Sequence, residues 1–392
     1  MMDNYYKVRS FEIPTIMKHG VGAVNQLPES VKELGIKKPL IVTDPGVVNA
    51  GLLDKVIAPL EEAGIPYAVY DKVIANPPIE TVGAGTKAYH DNGCDGLIGL
   101  GGGSSMDTAK GIGVEVTHEG NILDWEAEKR DLENRIAPLI TVPTTAGTGS
   151  EVTMWAVITD PARKFKFNVG GPLLAAHIAV VDPLLHTSMP PHVTAGTGMD
   201  ALCHAIECYT CHYAQPHTDA AALLAIEYCA KYLRRAVANG QDIEARYYMA
   251  MAAHLAGISY GSESAGAVHA MTQTLGGIHP EIHHGPAVGA TLGPVMEYNW
   301  IGEPEKFKRI AVAMGEDISG MSDREACLAG IEAVYELAED IDIPNIADLG
   351  VKEEEIPALA KAAMGDPQTV GNPRDLDLKG YEWIYKRCFE VL

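Results

Sequence analysis

Two patterns of apolar and polar positions follow one another along the chain. The first half alternates short runs of aliphatic and β-branched residues with amphipathic stretches, as in KPLIVTD (38–44) and NAGLLDKVIAPLEEAG (49–64). Strand and helix patterns that alternate at this spacing predict βαβ units and a parallel sheet. Later strands of the same half are predicted at PLITVPT (138–144), AVITD (156–160) and HIAVVDP (177–183).

The second half has long helical periods and few β-branched runs, as in HTDAAALLAIEYCAKYLRRAVAN (217–239). The corner Met189-Pro190-Pro191 marks the change, because two prolines cannot continue a preceding helix or sheet ladder. We therefore predict a doubly wound, Rossmann-like α/β domain over residues 1–188 and an all-α helical domain over residues 189–392.

Composition supports two domains and points to small ligands. At 392 residues the chain exceeds the size at which one hydrophobic core usually stops growing, and 47% hydrophobic residues suffice for two cores. The formal net charge of −22 repels phosphate backbones and anionic lipid. Nucleic acid and membranes are therefore unexpected partners, and small molecules are favoured.

The cysteines and the N-terminus predict a cytoplasmic protein. The seven cysteines are scattered with no pattern of a disulfide framework, which fits a reducing compartment. The opening MMDNYYKVRSFEIP does not have the sequence of a secretory signal, and no run of about 18 uncharged apolar residues occurs. We expect a soluble chain that is not exported.

Four residues of the helical half carry candidate metal chemistry: Asp200 and His204 in TGMDALCHAIE, His269 in GAVHAMTQTLGG and His284 in EIHHGPAVGA. An Asp and a His four positions apart project from one helical face, so they can hold one ion that two further imidazoles would complete. This ligand set suits Fe(II), Zn(II) or Mn(II) better than Ca(II) or Mg(II). The alternative is that each histidine is structural, as single histidines more often are.

A glycine-rich run in CDGLIGLGGGSSMDTAK (94–110) follows an apolar strand and precedes a helix. Gly102, Gly103 and Ser104 lie where a backbone can approach a pyrophosphate and the helix N-terminus can hold the anion. The spacing departs from G-x-G-x-x-G because its last position is Ser104. A plain strand-to-helix turn is the alternative, although three consecutive glycines cost conformational entropy.

Two more segments are candidates for the same ligand. ITVPTTAGTGSEVT (140–153) places Thr144, Thr145 and Thr148 beside flexible glycines, which indicates either a second cofactor loop or an ordinary threonine-rich turn. Asp44 ends the first strong strand, where a carboxylate accepts the ribose hydroxyls of NAD and repels the extra phosphate of NADP. Its alternative role is to cap the following turn.

The chain resembles the iron-containing (group III) alcohol dehydrogenase family from about residue 10 to its end. The motifs that carry the resemblance occur in the family's order and spacing: GGGSSMDTAK, PTTAGTGSEVT, AVITD, MPPHVTAGTGMDALCHAIE, HAMTQTLGG, HGPAVGATLGPVMEYN and GNPRDLDL. The resemblance implies an NAD(P)-binding N-terminal domain, a helical metal-binding C-terminal domain, and a cleft that holds the cofactor and a divalent metal. NAD is expected over NADP, and Fe(II) over Zn(II) or Mn(II).

Carried over by position, the resemblance implies Asp200, His204, His269 and His284 as metal ligands. It implies cofactor contacts at Asp44, Asn76, Gly102, Gly103, Ser104, Asp107, Thr144, Thr145, Thr148 and Lys166. The loop GGIHPEIHHG is one residue longer than the usual family loop, so His283 is the alternative fourth ligand. Counting back from VMEYN selects His284.

A second departure from the family concerns proton transfer. Family members commonly carry a histidine one helical turn after the third ligand, and Gln273 occupies that position here. Glutamine does not titrate, although its amide can orient a substrate oxygen. His279 and His283 are then the candidate proton carriers, unless the alkoxide exchanges its proton with solvent directly.

The predicted function is metal-dependent, NAD-linked interconversion of a short primary alcohol or diol and its aldehyde, with aldehyde reduction as the expected direction. One alternative substrate is a small anionic aldehyde such as sulfoacetaldehyde or phosphonoacetaldehyde. A synthase or lyase on the same fold and a non-catalytic nucleotide-binding protein are further candidate functions. The resemblance also implies a homo-oligomer, dimeric or larger, for which the segment 5–16 could supply an edge strand.

Overall fold

The computed structural model describes residues 8–127, 129–262 and 264–391. The chain divides into two compact units, which we call the α/β unit and the helical unit. The α/β unit holds residues 12–145 and 149–189, and the helical unit holds residues 8–11, 146–148 and the described chain from 190 onward. The predicted boundary between residues 188 and 189, with a separate role for each domain, stays a prediction.

The α/β unit is built on a parallel sheet of strands β1 (Ile16–His19), β2 (Pro39–Val42), β3 (Ala68–Tyr70), β4 (Gly96–Gly101), β5 (Leu139–Pro143) and β8 (Ile178–Val181). These strands lie in the order β1-β8-β5-β4-β2-β3, and every neighbouring pair is parallel. The central strands are buried along their whole length, which explains their continuous apolar runs.

Helices cover both faces of this sheet. They are α1 (Leu27–Glu33), α2 (Pro45–Asn49), α3 (Leu52–Glu62), α4 (Ile79–Asp91) and α5 (Gly103–Glu115). Leu40 and Val42 of β2 belong to the core shared with α4 and α5, whereas Ile41 belongs to the core shared with α1 and α3. Successive strand residues point to opposite faces, so one strand contributes to both cores. The predicted doubly wound fold is confirmed.

The strand order reverses between β2 and β4, because β3 lies beyond β2 on one side and β5 lies beyond β4 on the other. The carboxyl ends of β2 and β4 are therefore neighbours at a topological switch point. In open α/β sheets, ligands bind in the crevice at such a point. Asp44 follows β2 there, and the glycine-rich run follows β4.

One predicted strand does not join the parallel sheet. The AVITD segment forms β6 (Trp155–Asp160), which pairs antiparallel with β7 (Phe165–Gly170), a strand that the sequence patterns did not predict. The Asp160 carboxylate accepts hydrogen bonds from the backbone N–H groups of Ala162 and Arg163, at 2.9 and 3.3 Å. This Asx turn folds the chain back on itself and makes a two-stranded ribbon.

The predicted edge strand over residues 5–16 is wrong for the described part of that segment. Residues 8–14 form no strand, and β1 begins at Ile16; positions 5–7 lie outside the described residues. Pro14 has no N–H to donate to a ladder. Its carbonyl instead accepts a hydrogen bond from the Arg135 guanidinium, at 3.3 Å.

The helical unit is built from helices, which confirms the predicted all-helical fold. Its helices are α6 (Pro191–Thr210), α7 (Pro216–Ala238), α8 (Ile243–Ser259), α9 (Ala267–Ile278), α10 (His284–Asn299), α11 (Pro304–Met314), α12 (Asp323–Asp340), α13 (Ile356–Met364) and α14 (Leu378–Glu390). Most of α6 is buried, as expected for a helix that is apolar on several faces. Across the described residues, we find no helix with the length and apolar character to cross a membrane.

Glycines set the approach of α10 to α6. A Cβ on Gly285 would lie 2.5 Å from the carbonyl carbon of Gly196, so the two backbones touch at a point that no larger residue fits. Gly196 precedes Asp200 by one helical turn, and Gly285 follows His284 directly. The glycine contact therefore brings the start of α10 to the face of α6 that carries Asp200.

Candidate functional site

The four predicted metal ligands lie together in the helical unit. Asp200 and His204 are buried on α6, with 3.5 Å between Asp200 Oδ1 and His204 Nδ1. His269, in the first turn of α9, places Nε2 3.7 Å from the same oxygen. His284 at the start of α10 places Nε2 3.5 Å from it. One carboxylate oxygen is thus surrounded by nitrogens of three imidazoles.

The donor atoms of this cluster suit a divalent ion. One donor atom each from Asp200, His269 and His284 lie within 4.8 Å of one another, and the His204 and His269 ring centroids are 4.3 Å apart. Asp200 Oδ1, His204 Nδ1 and His269 Nε2 are buried, and none accepts or donates a hydrogen bond within the described chain. Buried polar atoms are normally paired, so atoms left in this state fit coordination to a metal.

The cluster also favours positive charge. Burial works to raise the pKa of Asp200, but the imidazoles of His204, His269 and His284 overcome it and hold that pKa well below its usual range. Burial lowers the pKa of His204 to about 4, which leaves that ring neutral with a free lone pair for coordination. Burial also works to lower the pKa of His269, but Asp200 and Glu207 raise it to about 9. The carboxylates thus stabilise a positive charge here, carried by a proton or by a metal ion.

The three residues predicted to handle the substrate proton lie in different surroundings. Gln273 is partly buried on α9, four residues after His269 and so on the same helical face. His279 ends that helix, and its ring contacts Glu355 at 3.0 Å and Glu281 at 3.3 Å. His283 is exposed and precedes the first residue of α10. Their catalytic roles stay predictions, as does the choice of His284 over His283, although only His284 of this pair contacts Asp200 among the described residues.

The glycine-rich loop of the α/β unit is compact at the end of β4. Gly101 has a φ of +144°, and a Cβ there would lie 2.6 Å from Ser105 Oγ and 3.1 Å from Asp44 Oδ2. A Cβ on Gly102 would lie 3.2 Å from Thr145 Oγ1. Gly103 begins α5 and Ser104 follows it, partly buried. These glycines place no side chain of their own at the N-terminus of α5, which suits an anionic group.

Asp44 has the capping role that the sequence left open. Its Oδ1 accepts a hydrogen bond from Val47 N at 3.1 Å and so caps α2. Its Oδ2 accepts one from Ser105 Oγ at 3.1 Å, which joins the ends of β2 and β4. The side chain is only partly buried. A further contact to a ribose hydroxyl stays a prediction.

Asp107 is held by the protein itself. Its Oδ1 accepts a hydrogen bond from Ser150 Oγ at 2.5 Å, and its Oδ2 accepts one from Val157 N at 3.0 Å. The two carboxylate oxygens therefore fasten α5 to β6 and to the segment that precedes it. This structural role accounts for the residue, and its predicted contact with the cofactor remains untested.

Lys110 was missed by the sequence patterns. Its side chain is fully buried, and Nζ donates to Trp155 O at 2.7 Å, Ser150 Oγ at 3.0 Å and Thr153 O at 3.1 Å. Burial lowers the pKa of Lys110 to about 8. The signal was its position three residues after Asp107 on one helical face, but a lysine in a helix is usually solvated.

The remaining predicted cofactor residues lie in several places. Thr144 is buried directly after β5, and its N–H donates to Gly101 O at 3.0 Å. Asn76 has a φ of +51°, and its carbonyl accepts from Thr159 Oγ1 at 3.0 Å. Lys166 on β7 pairs with Thr159 in the ribbon and is buried. Thr148 belongs to the short stretch grouped with the helical unit.

Comparisons with known proteins agree with the fold. Residues 14–183 match the family model described as iron-containing alcohol dehydrogenase, and residues 194–389 match the model of the C-terminal part of the Fe-containing alcohol dehydrogenase family. The chain therefore belongs to the iron-containing alcohol dehydrogenase family. This confirms the resemblance found in the sequence.

Among its relatives, the choline dehydrogenase of Bacillus subtilis (strain 168) is 60% identical over 392 residues, covering 100% of this chain and 97% of that protein. The 1,3-propanediol dehydrogenase of Citrobacter freundii is 40% identical, covering 98% and 100%. A crystal structure of 1,3-propanediol oxidoreductase superposes with a TM-score of 0.94 at 40% identity, covering 98% and 100%. The chain is accordingly an oxidoreductase, and its family implies a nicotinamide cofactor with iron or another divalent metal.

Proposed function

We propose that the protein is an NAD-linked, metal-dependent dehydrogenase of a short primary alcohol, and that choline is its best substrate. The observation that carries the metal dependence is the set of buried atoms without hydrogen bonds around Asp200. The observation that favours choline is the 60% identity, over the whole chain, to a choline dehydrogenase.

Each part of the site has a defined task in this proposal. Asp200, His204, His269 and His284 hold one divalent ion, with Fe(II) expected. The ion would polarise the alcohol oxygen and lower its pKa, while the nicotinamide would accept the hydride from the neighbouring carbon. Gly102, Gly103 and Ser104 bind the pyrophosphate through backbone N–H groups. Asp44 selects NAD, because a carboxylate at the end of β2 repels the additional phosphate of NADP.

The charges of the chain support a cationic alcohol. A protein with a formal net charge of −22 attracts a quaternary ammonium ion and repels sulfonates or phosphonates. Gln273 lies one turn beyond His269 and carries no charge at any pH, so it does not oppose a trimethylammonium group. These two features rank choline above the small anionic aldehydes.

Steady-state assays with matched substrates test the proposal. The protein, loaded with Fe(II) or Zn(II) and supplied with NAD+, is assayed for NADH formation with choline, ethanol, 1,3-propanediol and, in reverse, sulfoacetaldehyde. We expect kcat/KM to be highest for choline, to fall as salt screens the attraction, and to vanish on chelation. Turnover of none of these substrates would contradict the dehydrogenase, whereas a preference for sulfoacetaldehyde would reverse the assignment of substrate.

A further inference from the structure

Glu207 is a buried carboxylate one helical turn after Cys203 on α6. Its two oxygens accept hydrogen bonds from Val268 N at 2.7 Å, Gly266 N at 3.2 Å and His269 N at 3.3 Å. They also contact His269 Nδ1 at 2.6 Å. A single side chain of α6 thus holds the backbone and the ring of one proposed ligand.

The three backbone contacts lie at the N-terminus of α9, a helix whose own N-cap residue, Gly266, offers no side chain. The first N–H groups of a helix have no partner within it, and negative charge is stabilised there. Glu207 supplies the missing acceptors from a different helix. A Cβ on Gly266 would lie 2.8 Å from Glu207 Oε1, so glycine at that position leaves room for the carboxylate.

The contact to the ring fixes which nitrogen of His269 faces the metal cluster. A carboxylate accepts but does not donate, so Nδ1 must carry the proton in the 2.6 Å contact with Glu207. In the neutral ring, the opposite nitrogen, Nε2, then carries the lone pair on the side that faces Asp200 Oδ1, 3.7 Å away. A hydrogen bond on one ring nitrogen selects the tautomer that leaves the other free to bind a metal.

We propose that Glu207 is a positioning residue that orients His269 and fixes its Nδ1–H tautomer, so that Nε2 can coordinate the ion. This inference rests on the proposed metal-binding role of the cluster. It assigns Glu207 to a second layer of contacts around the ion, acting through His269.

A second metal site at Cys203, Glu207 and His269 is the competing explanation, because one donor atom of each lies within 4.8 Å of the others. The contacts oppose it. The oxygens of Glu207 already accept three backbone N–H groups besides the ring, and His269 Nδ1 cannot both donate a proton and bind an ion. Cys203 Sγ lies 3.9 Å from Nδ1, in van der Waals contact.

The test compares Glu207→Gln with Asp242→Asn by titrating metal-free protein with Zn(II). Asp242 is the matched control, because its carboxylate caps α8 by accepting from Ala245 N at 3.0 Å and lies outside the metal cluster. We expect Glu207→Gln to raise the Kd of Zn(II) by roughly 10–100-fold, as loss of such partners typically does, and Asp242→Asn to leave it unchanged. Circular dichroism checks that both variants are folded.

Nitrogen-15 NMR of the histidine rings gives a readout that a purely structural role would not change. We expect the zinc-loaded wild type to show a buried imidazole whose Nδ1–H proton is shifted downfield by the carboxylate, and this proton to move upfield in Glu207→Gln because a neutral amide oxygen is a weaker acceptor. If Glu207→Gln does not fold, Gly266→Ala replaces it, since the added Cβ displaces the carboxylate and should weaken zinc binding in the same direction.

The outcomes separate this inference from the proposed function. A wild type that binds no zinc contradicts the metal-dependent function itself. If the wild type binds zinc and Glu207→Gln has the same Kd and the same ring signal, only the role of Glu207 is overturned. Two zinc ions per chain, one of them lost in Glu207→Gln, would also overturn it by making Glu207 a ligand.

Discussion

The Lys110–Asp107 pair of the α/β unit and the Asp200 cluster of the helical unit treat their buried charges in opposite ways. In the α/β unit, the buried Lys110 and Asp107 are satisfied by neighbouring hydroxyl and backbone groups. In the helical unit, Asp200, His204 and His269 keep buried atoms without hydrogen bonds in the described chain. Buried charges that the protein satisfies itself stabilise a fold, whereas polar atoms held close together and left unsatisfied are prepared for a ligand. The comparison therefore separates structural charges from those that bind.

The largest expected effect is at the fourth ligand. We predict that His284→Ala lowers the affinity for Zn(II) by more than the roughly 10–100-fold typical of outer partners, because it removes a donor atom next to Asp200. His283→Ala is the matched control, since that side chain is exposed one residue earlier. Isothermal titration calorimetry of the metal-free variants measures both affinities for Zn(II). A larger loss in His283→Ala than in His284→Ala would make His283 the fourth ligand.

The buried charge of Lys110 in the α/β unit should affect the stability of the fold and not the affinity for metal. We predict that Lys110→Met destabilises the protein by about 3–5 kcal/mol, because it leaves the Asp107 carboxylate and several acceptors buried without their cation. Urea denaturation measures this, with the exposed Lys87→Met as the control expected to stay within about 0.5 kcal/mol. The affinity of Lys110→Met for Zn(II) should match the wild type, and a weakened site would contradict the separation of the two units.

Substrate selection gives an intermediate effect. We predict that Gln273→His lowers kcat/KM for choline relative to 1,3-propanediol, since a protonated imidazole repels the trimethylammonium group. The loss should reach roughly 10-fold below the ordinary histidine pKa of about 6.5 and fade above it, because the neutral ring exerts no such repulsion. Rates for both alcohols on either side of that pKa measure this ratio, and a ratio independent of pH would remove Gln273 from the argument for choline.

The smallest effect concerns stability against pH. Burial, reinforced by Arg135, lowers the pKa of His177 to about 4, and its Nδ1 accepts a hydrogen bond from Leu139 N at 3.2 Å. The unfolded chain takes up this proton more readily, so stability is full above about pH 6.5 and declines as the pH falls toward 4. The melting temperature should fall less steeply across this pH range in His177→Asn, because its amide oxygen can accept the same hydrogen bond without titrating. Equal slopes would contradict the role of His177.

The sequence predicted most of the fold because burial has a strong local signature. The strands at Pro39–Val42 and Gly96–Gly101 are apolar at every buried position, and the helix Pro191–Thr210 has a long helical period. The ribbon strand Phe165–Gly170 was missed, since it depends on an Asx turn at Asp160. The segment 8–14 was predicted as a strand, although Pro14 cannot donate to a ladder.

The sequence identified some residues of the candidate site and missed others. Asp200 and His204 share a helix, so their spacing alone brought them together, whereas His269 and His284 needed the family resemblance to join them. Glu207 had no signal of its own and Lys110 only its spacing from Asp107, because a glutamate or a lysine in a helix looks like a solvated residue until packing buries it. Residues that position metal ligands without binding the ion themselves are defined by tertiary contacts, which a single sequence does not show.

X-ray absorption of the purified protein, combined with elemental analysis, tests the central claim that Asp200 and three histidines bind one divalent ion. We predict one ion per chain, a first shell of nitrogen and oxygen, and the outer scattering of about three imidazoles, all lost in His204→Ala or His269→Ala. A protein that holds no stoichiometric ion would contradict the claim. A shell that contains sulfur would contradict it as well, because it would place the ion at Cys203 instead.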